Sequence, residues 1–264
     1  KEKDHIVFKA PDGSQTNSFV ITNTAPEEIT WTGKVDLFFE CSGKYSEKDK
    51  ASIFLKDQTK HVIISQTSWD CDSTLVYGFN HEEFNKKHKI ISYGSCTVNA
   101  YTPLANYIDK YFTIKDSDVN VVHNIQEYRL KDNYTLLRKF CTLEKSGVLL
   151  MPALEGKFRV NYTVVPYDGV SMIDFRFAVS KKTDREDFLV SLKQELTSGS
   201  LKNLYGITEN DEGPEAYSCT PYSSVFIESS INVLNNNIHL FAYFDNENSV
   251  NRYYDLTNYI SYQL

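Results

Sequence analysis

Cys96 and His123 are the side chains whose types and settings could do chemistry. Cys96 lies in the stretch Ser92-Tyr93-Gly94-Ser95-Cys96-Thr97-Val98-Asn99-Ala100-Tyr101-Thr102-Pro103-Leu104-Ala105. The lead-in Lys89-Ile90-Ile91-Ser92 is short and β-branched, which suits a buried strand. Beyond Cys96 the apolar residues Tyr101, Leu104, Ala105, Ile108, Tyr111 and Phe112 follow the spacing of a helix with one buried face. Proline is tolerated only near a helix start, so Pro103 predicts that this helix opens between Cys96 and Val98. A cysteine there meets unpaired backbone N–H groups and the positive end of the helix dipole, both of which favour the nucleophilic thiolate. Free cysteine is also among the most buried residue types, so a structural thiol is an equally open reading. His123 ends the strand Val119-Asn120-Val121-Val122-His123. A protonated imidazole beside Cys96 would lower the thiol pKa by several units.

Composition limits what surrounds this pair. The chain has 264 residues, 41% hydrophobic and 14% aromatic, enough for a sizeable core and one or two domains. No apolar run approaches the roughly 18 residues of a membrane span, and no signal-peptide pattern opens the chain. A formal net charge of −7 argues against a general nucleic-acid surface, and no nucleic-acid partner is expected. The cysteines Cys41, Cys71, Cys96, Cys141 and Cys219 are odd in number and scattered, which predicts a cytoplasmic or other reducing compartment and no disulfide framework. None has zinc-ligand spacing, so no metal is expected.

The remaining elements must position the pair. Ile6 to Lys9, the turn Pro11-Asp12-Gly13 and Ser18 to Ile21 read as a hairpin. Val35 to Cys41 and His61 to Ser65 read as parallel strands of a βαβ unit around a helix capped by Ser46, with a further strand over Val76 to His81. The segment between His123 and Met151 has no readable pattern. Ser171 to Val179 is a strand, and Thr183 to Glu186 is a capping box for a helix closed by Gly199. Ser224 to Ile227 begins a strand, and Ile231 to Leu234 with Ile238 to Phe244 form a hairpin. Asp255 to Leu264 is an aromatic-rich amphipathic helix. The order predicts α/β followed by α+β with a mostly antiparallel sheet and flanking helices.

Ser95-Cys96-Thr97-Val98-Asn99 with Pro103-Leu104-Ala105 resembles the Ser-Cys-Thr-Thr-Asn…Pro-Leu-Ala signature of the glyceraldehyde-3-phosphate dehydrogenase family. The likeness continues in the family's order. Glu40-Cys41-Ser42-Gly43 resembles its Glu-Ser-Thr-Gly loop beside the nicotinamide ribose, Val76 to His81 its Val-x-Gly-Val-Asn-His segment, and Asp245-Asn246-Glu247 its Asp-Asn-Glu stretch, which otherwise reads as a turn. The Cys96–His123 separation matches the family's nucleophile and base without a gap. The resemblance implies the second half of a Rossmann-type NAD-binding domain over residues 1–95, completed by a C-terminal helix over 246–264, and a catalytic domain over 96–245. It implies NAD as cofactor, Ser42, Gly43, Ser65 and Asn246 as cofactor-binding residues, and Ser95 and Thr97 as substrate-binding residues. It also implies a small aldehyde substrate and a homo-oligomer or larger assembly.

The departures are local. The family's opening strand, Gly-x-Gly-x-x-Gly turn and ribose-binding acid would lie upstream of Lys1, and no glycine pattern within the chain replaces them. This leaves two expectations open: a segment outside the sequence, or a lost half-site. The family's His-x-x-Thr-x-Thr pattern is replaced by His123-Asn124-Ile125-Gln126-Glu127-Tyr128. Val164 falls where its phosphate-clamping arginine belongs, Arg159 is a gapped alternative, and Cys141-Thr142 is nearest to its Ser-Thr-Gly phosphate loop. Two readings result: an NAD-dependent aldehyde dehydrogenase with Cys96 as nucleophile and His123 as base, or an inactive paralogue kept as a structural or interaction subunit.

Overall fold

Parallel strands are stable when helices cover both their faces, and the first sheet of this protein follows that rule. The computed structural model describes residues 4–10, 12–20, 24–124, 136–167 and 169–264. A separate hairpin, β1 (Asp4–Lys9) and β2 (Gln15–Val20), precedes the sheet. Strand β3 (Leu37–Glu40) leads through the short helix α1 (Lys48–Ala51) to β4 (His61–Ile64), and β5 (Ser73–Thr74) and β6 (Ile90–Ser92) complete four parallel strands in the order β3-β4-β6-β5. Every residue of β4 is buried. Val62 and Ile64 pack with Phe38, Ala51 and Phe54 on one face, while Ile63 packs with Leu75 and Ile91 on the other.

Two expectations fail here for identifiable reasons. Helix α1 is preceded by Glu47 rather than capped by Ser46, because Asp70 reaches across to accept the Lys48 N–H at 3.0 Å. Val76 to His81 is a turn, not a strand. Asn80 takes the Val76 N–H at 2.7 Å and donates to the Thr74 carbonyl at 3.0 Å, replacing ladder partners with a side chain. Gly78 has φ +81°, where an added Cβ would also strike Leu204.

Helix α2 (Cys96–Phe112) follows β6 directly and opens at Cys96, as Pro103 required. Ser95 caps it by accepting the Val98 N–H at 3.3 Å. Gly94, at φ +90°, makes the turn; a Cβ there would press on Val98 at 3.0 Å. Pro103 nevertheless lies two turns inside the helix, and the structure repairs the break. Leu104 N–H donates to the Tyr205 hydroxyl at 3.1 Å, and that hydroxyl donates to the carbonyls of Ala100 at 3.0 Å and Asn99 at 3.2 Å. From Thr97 to Ala105 the helix is buried on every side rather than along one stripe, because the second sheet and two other helices border it.

The second sheet begins with β7 (Ile114–Asn124) and β8 (Leu137–Arg138), followed by helix α3 (Thr142–Leu150), β9 (Phe158–Val165), β10 (Ser171–Val179) and helix α4 (Arg185–Ser198). Asp184, not Thr183, caps α4 through the Asp187 N–H. Then come β11 (Tyr205–Thr208), β12 (Ser224–Ile227), β13 (Asn232–Leu234), β14 (Asn237–Phe244) and helix α5 (Asn246–Gln263). The order is β11-β12-β14-β10-β7-β9-β8, with β13 also on β14. The pairings are mostly antiparallel; β11–β12 and β7–β9 are parallel, the latter with α3 in its crossover. Alternate residues of β7, β9, β10 and β14 face α2. Helix α5 returns to the first sheet, where Tyr253, Leu256 and Ile260 join Ile63, Leu75 and Ile91. It starts at Asn246, well before Asp255, because Asp245 caps it through the Asn248 N–H at 2.7 Å.

Tyr205→Phe should therefore lower stability by about 2–3 kcal/mol, since it strands the Leu104 N–H and weakens two buried carbonyls. Urea unfolding should show a lower midpoint at unchanged slope; an unchanged midpoint would mean that Pro103 needs no repair.

Candidate active site

The end of one strand and the start of one helix bring the reactive pair together. Cys96, the first residue of α2, and His123, the penultimate residue of β7, place Sγ 3.5 Å from Nε2. His123 Nδ1 lies 2.8 Å from the Asn124 carbonyl. A carbonyl only accepts, so Nδ1 carries the proton and Nε2 presents its lone pair to the thiol. The ring is held between Tyr162, at a centroid distance of 5.6 Å, and Phe244, at 5.5 Å.

Of the two readings left open for Cys96, burial favours the neutral thiol over the thiolate. Burial pushes the Cys96 thiol up to about 12, and the Cys141 sulfur adds to this; the Thr97 and Cys96 N–H groups at the helix start act in the opposite direction but lose. Burial also pulls His123 below its ordinary value, against the stabilising Asn124 carbonyl. The resting pair is a neutral thiol and a neutral imidazole.

The two residues expected to bind substrate are placed differently. Ser95 Oγ pairs with Thr97 Oγ1 at 3.1 Å and accepts from Thr142 Oγ1 at 3.2 Å, while Thr97 is buried, its hydroxyl 3.7 Å from Cys141 Sγ. Cys141 caps α3, and Glu144 reaches back to accept the Cys141 N–H at 3.2 Å. Val164 is buried opposite His123 in the β7–β9 register. Arg159 pairs instead with Asp118, five positions away. That odd count puts it on the other sheet face, roughly 17 Å along the strand. Among the described residues the other arginines are engaged elsewhere: Arg138 with Asn161, Arg176 with Asp116 and Asp118, Arg185 with the Ile231 and Glu228 carbonyls, and Arg252 with those of Asn203 and Pro221. Gln126, Glu127, Tyr128 and Arg129 lie outside the described residues.

Ser42, Gly43, Ser65 and Asn246 line one cavity of about 380 Å³, together with Cys41, Gln66, Tyr93, Ser249, Val250 and Tyr253. Glu40, buried, fixes the Ser42 turn by accepting its N–H at 2.9 Å and its hydroxyl. The cavity and the reactive pair adjoin at Tyr93, whose hydroxyl pairs with Ser249 at 3.1 Å and lies close enough to feel the Cys96 sulfur. Gln66 Nε2 is a buried donor with no partner on this wall. Hydroxyls and an unsatisfied amide donor fit a ribose and a carboxamide, so this donor set suits the nicotinamide half of a dinucleotide. Sequence reasoning missed Gln66, Tyr93, Tyr162 and Glu144; only the Ser92-Tyr93-Gly94-Ser95 turn carried a signal, through its adjacency to Cys96. Among the described residues no group of three or more His, Cys, Asp or Glu side chains is placed to hold a metal, and no helix is long and apolar enough to cross a membrane.

Residues 142–246 match the family model "Glyceraldehyde 3-phosphate dehydrogenase, C-terminal domain". The chain is 30% identical to the cytosolic glyceraldehyde-3-phosphate dehydrogenase of Nicotiana tabacum over 238 residues, covering 84% of this chain and 72% of the relative. It is 32% identical to that of Dianthus caryophyllus over 244 residues, covering 86% and 72%. With glyceraldehyde-3-phosphate dehydrogenase 1 of Bacillus cereus it shares 28% over 259 residues, covering 92% and 77%.

A thiol raised by burial predicts slow alkylation. Near neutral pH, iodoacetamide should label the exposed Cys41 and Cys219 before Cys96. The Cys96 rate should rise about tenfold per pH unit from about pH 7 to about pH 10, as its thiolate fraction grows. Peptide mass spectrometry would read this; a plateau near neutrality would show a stabilised thiolate instead.

Proposed function

The chain belongs to the glyceraldehyde-3-phosphate dehydrogenase family, and on that footing we propose that it oxidises an aldehyde through a covalent adduct on Cys96, with NAD accepting the hydride. The observation that carries this reading is the tautomer: Nδ1–H is committed to the Asn124 carbonyl, which leaves Nε2 as a free base 3.5 Å from the thiol.

Each proton then has a route. As Cys96 Sγ bonds to the aldehyde carbon, its proton passes to His123 Nε2 and on to the carbonyl oxygen, giving a thiohemiacetal. His123 next takes the hydroxyl proton as the C–H hydride leaves, and the adduct becomes a thioester. The Asn124 carbonyl stabilises the imidazolium formed on the way, and the Cys96 and Thr97 N–H groups offset the charge on sulfur. Ser42, Ser65, Gln66 and Asn246 would hold the nicotinamide half of the cofactor, which supplies a hydride acceptor when bound. Water or inorganic phosphate then attacks the thioester carbon, the C–S bond breaks, the acyl group leaves as a carboxylic acid or acyl phosphate, and the Cys96 sulfur regains a proton from the His123 imidazolium.

The second reading, an inactive structural subunit, draws support from the raised Cys96 thiol. Five free thiols are consistent with a reducing compartment, which we also propose.

Aldehyde-dependent NADH formation tests the choice. Cys96→Ser should abolish it, and His123→Ala should lower kcat about 10²–10⁴-fold. Wild-type protein without turnover on any aldehyde, or a Cys96→Ser variant with full turnover, would favour the structural reading.

A further inference from the structure

We propose that Ser171 is a positioning residue: its hydroxyl clamps Asn124 and thereby holds His123 in the one tautomer that can take the Cys96 proton. The kinetic consequence rests on the dehydrogenase reading; the positioning itself does not.

The tautomer depends on a single carbonyl. His123 Nδ1 donates to the Asn124 oxygen at 2.8 Å, and Asn124 is the last residue of β7. Strand ends fray where their ladders stop. On one side Asn124 lies opposite Val165, the last pair of the β7–β9 ladder. On the other side the β7–β10 ladder stops at Val122 opposite Met172, two residues short of Asn124. There a side chain takes over from the backbone. Ser171, the first residue of β10, accepts the Asn124 N–H at 3.1 Å and donates its own proton to Asn124 Oδ1 at 3.1 Å. Both bonds go to one residue, so they fix its main chain and its side chain together.

The clamp is shut off from water. Ser171 is 1% exposed, and its register partner in β14 is Phe244, whose ring lies 5.5 Å from that of His123. Without water to compete, a hydroxyl bonded in both directions holds its geometry more firmly than an exposed one. Burial pulls His123 below its ordinary value, and the Asn124 carbonyl and side-chain amide, the two groups that Ser171 orients, act against it. A free neutral imidazole prefers its proton on Nε2. Without the pinned carbonyl the ring would return to that form, and Nε2, 3.5 Å from Cys96 Sγ, would carry a proton instead of accepting one.

Nitrogen NMR of the full chain at neutral pH reads the tautomer directly, with the His123 ring identified by its absence from the His123→Gln spectrum. The wild-type ring should carry its proton on Nδ1. In Ser171→Ala most His123 rings should carry it on Nε2. Ser171→Cys, whose sulfur fills the space but bonds weakly, should lie between the two. In aldehyde-dependent NADH formation, Ser171→Ala should lower kcat about ten- to a hundredfold and leave KM for NAD within about twofold of wild type, because part of the population keeps the productive tautomer. A merely structural serine would not move the tautomer. A wild-type ring protonated on Nε2, or an Nδ1 proton that stays in place in both variants, would overturn the proposal whether or not the protein turns over. If Ser171→Ala does not fold, Ser171→Cys decides by the same spectrum. A complete tautomer shift with kcat unchanged would overturn the part of Ser171 in the reaction. Wild-type protein without turnover, its tautomer still shifting in the variants as described, would overturn the dehydrogenase reading and leave the positioning role standing.

Discussion

The first half of helix α2 has almost no access to water, and this one constraint organises the rest of the protein. Its residues from Thr97 to Ala105 are all buried, so each polar group among them needs a partner inside the fold. Thr102 turns its hydroxyl back to the Val98 carbonyl at 2.8 Å, and Asn99 donates to the carbonyls of Tyr93 and Ser95. The interruption at Pro103 is answered by Tyr205, from the far edge of the second sheet. A helix tied down by these bonds holds its first residue in a fixed place, which is what a nucleophile requires.

The same burial governs the chemistry of Cys96. A helix start favours a thiolate, but that benefit is of the order of 1 kcal/mol, whereas removing a charge from water is larger. Burial therefore wins, and the pair rests neutral. Reactivity then depends on moving the thiol proton at the moment of bond formation. His123 is prepared for that by its fixed tautomer, and the rings of Tyr162 and Phe244 keep it from rotating.

Much of this was legible in the residues. The βαβ unit, the long strand over Ser171 to Val179, the helix closed by Gly199 and the Asn235-Asn236 hairpin all follow from local pattern, and each is present. The failures share a cause. Asp70, Asn80 and Tyr205 each supply a hydrogen bond from a distant or unexpected position, and no local pattern encodes such a partner. Helix α3 escaped notice because it has only nine residues, buries Ser146 and Gly147 beside Leu143 rather than an apolar stripe, and is capped by a cysteine. The register that sets Val164 beside His123 and sends Arg159 to the opposite face depends on β9 pairing with β7, which only the folded sheet reveals. The sign of the Cys96 shift was hidden for the same reason, since burial is a property of the whole packing.

The cavity that gathers Ser42, Ser65 and Asn246 also has a consequence in time. One wall is helix α5, fastened to the first sheet where the Tyr253 hydroxyl donates to the Ile63 carbonyl at 2.6 Å, across 190 residues of chain. During synthesis the strands of the first sheet are made before their cover. Until α5 emerges from the ribosome, the face carrying Ile63, Leu75 and Ile91 is open, sticky and unable to bind anything specific. Closing so long a loop is slow compared with local folding. The nascent chain thus passes through a period in which it needs protection from other chains, as a direct result of building one wall of the cavity from α5.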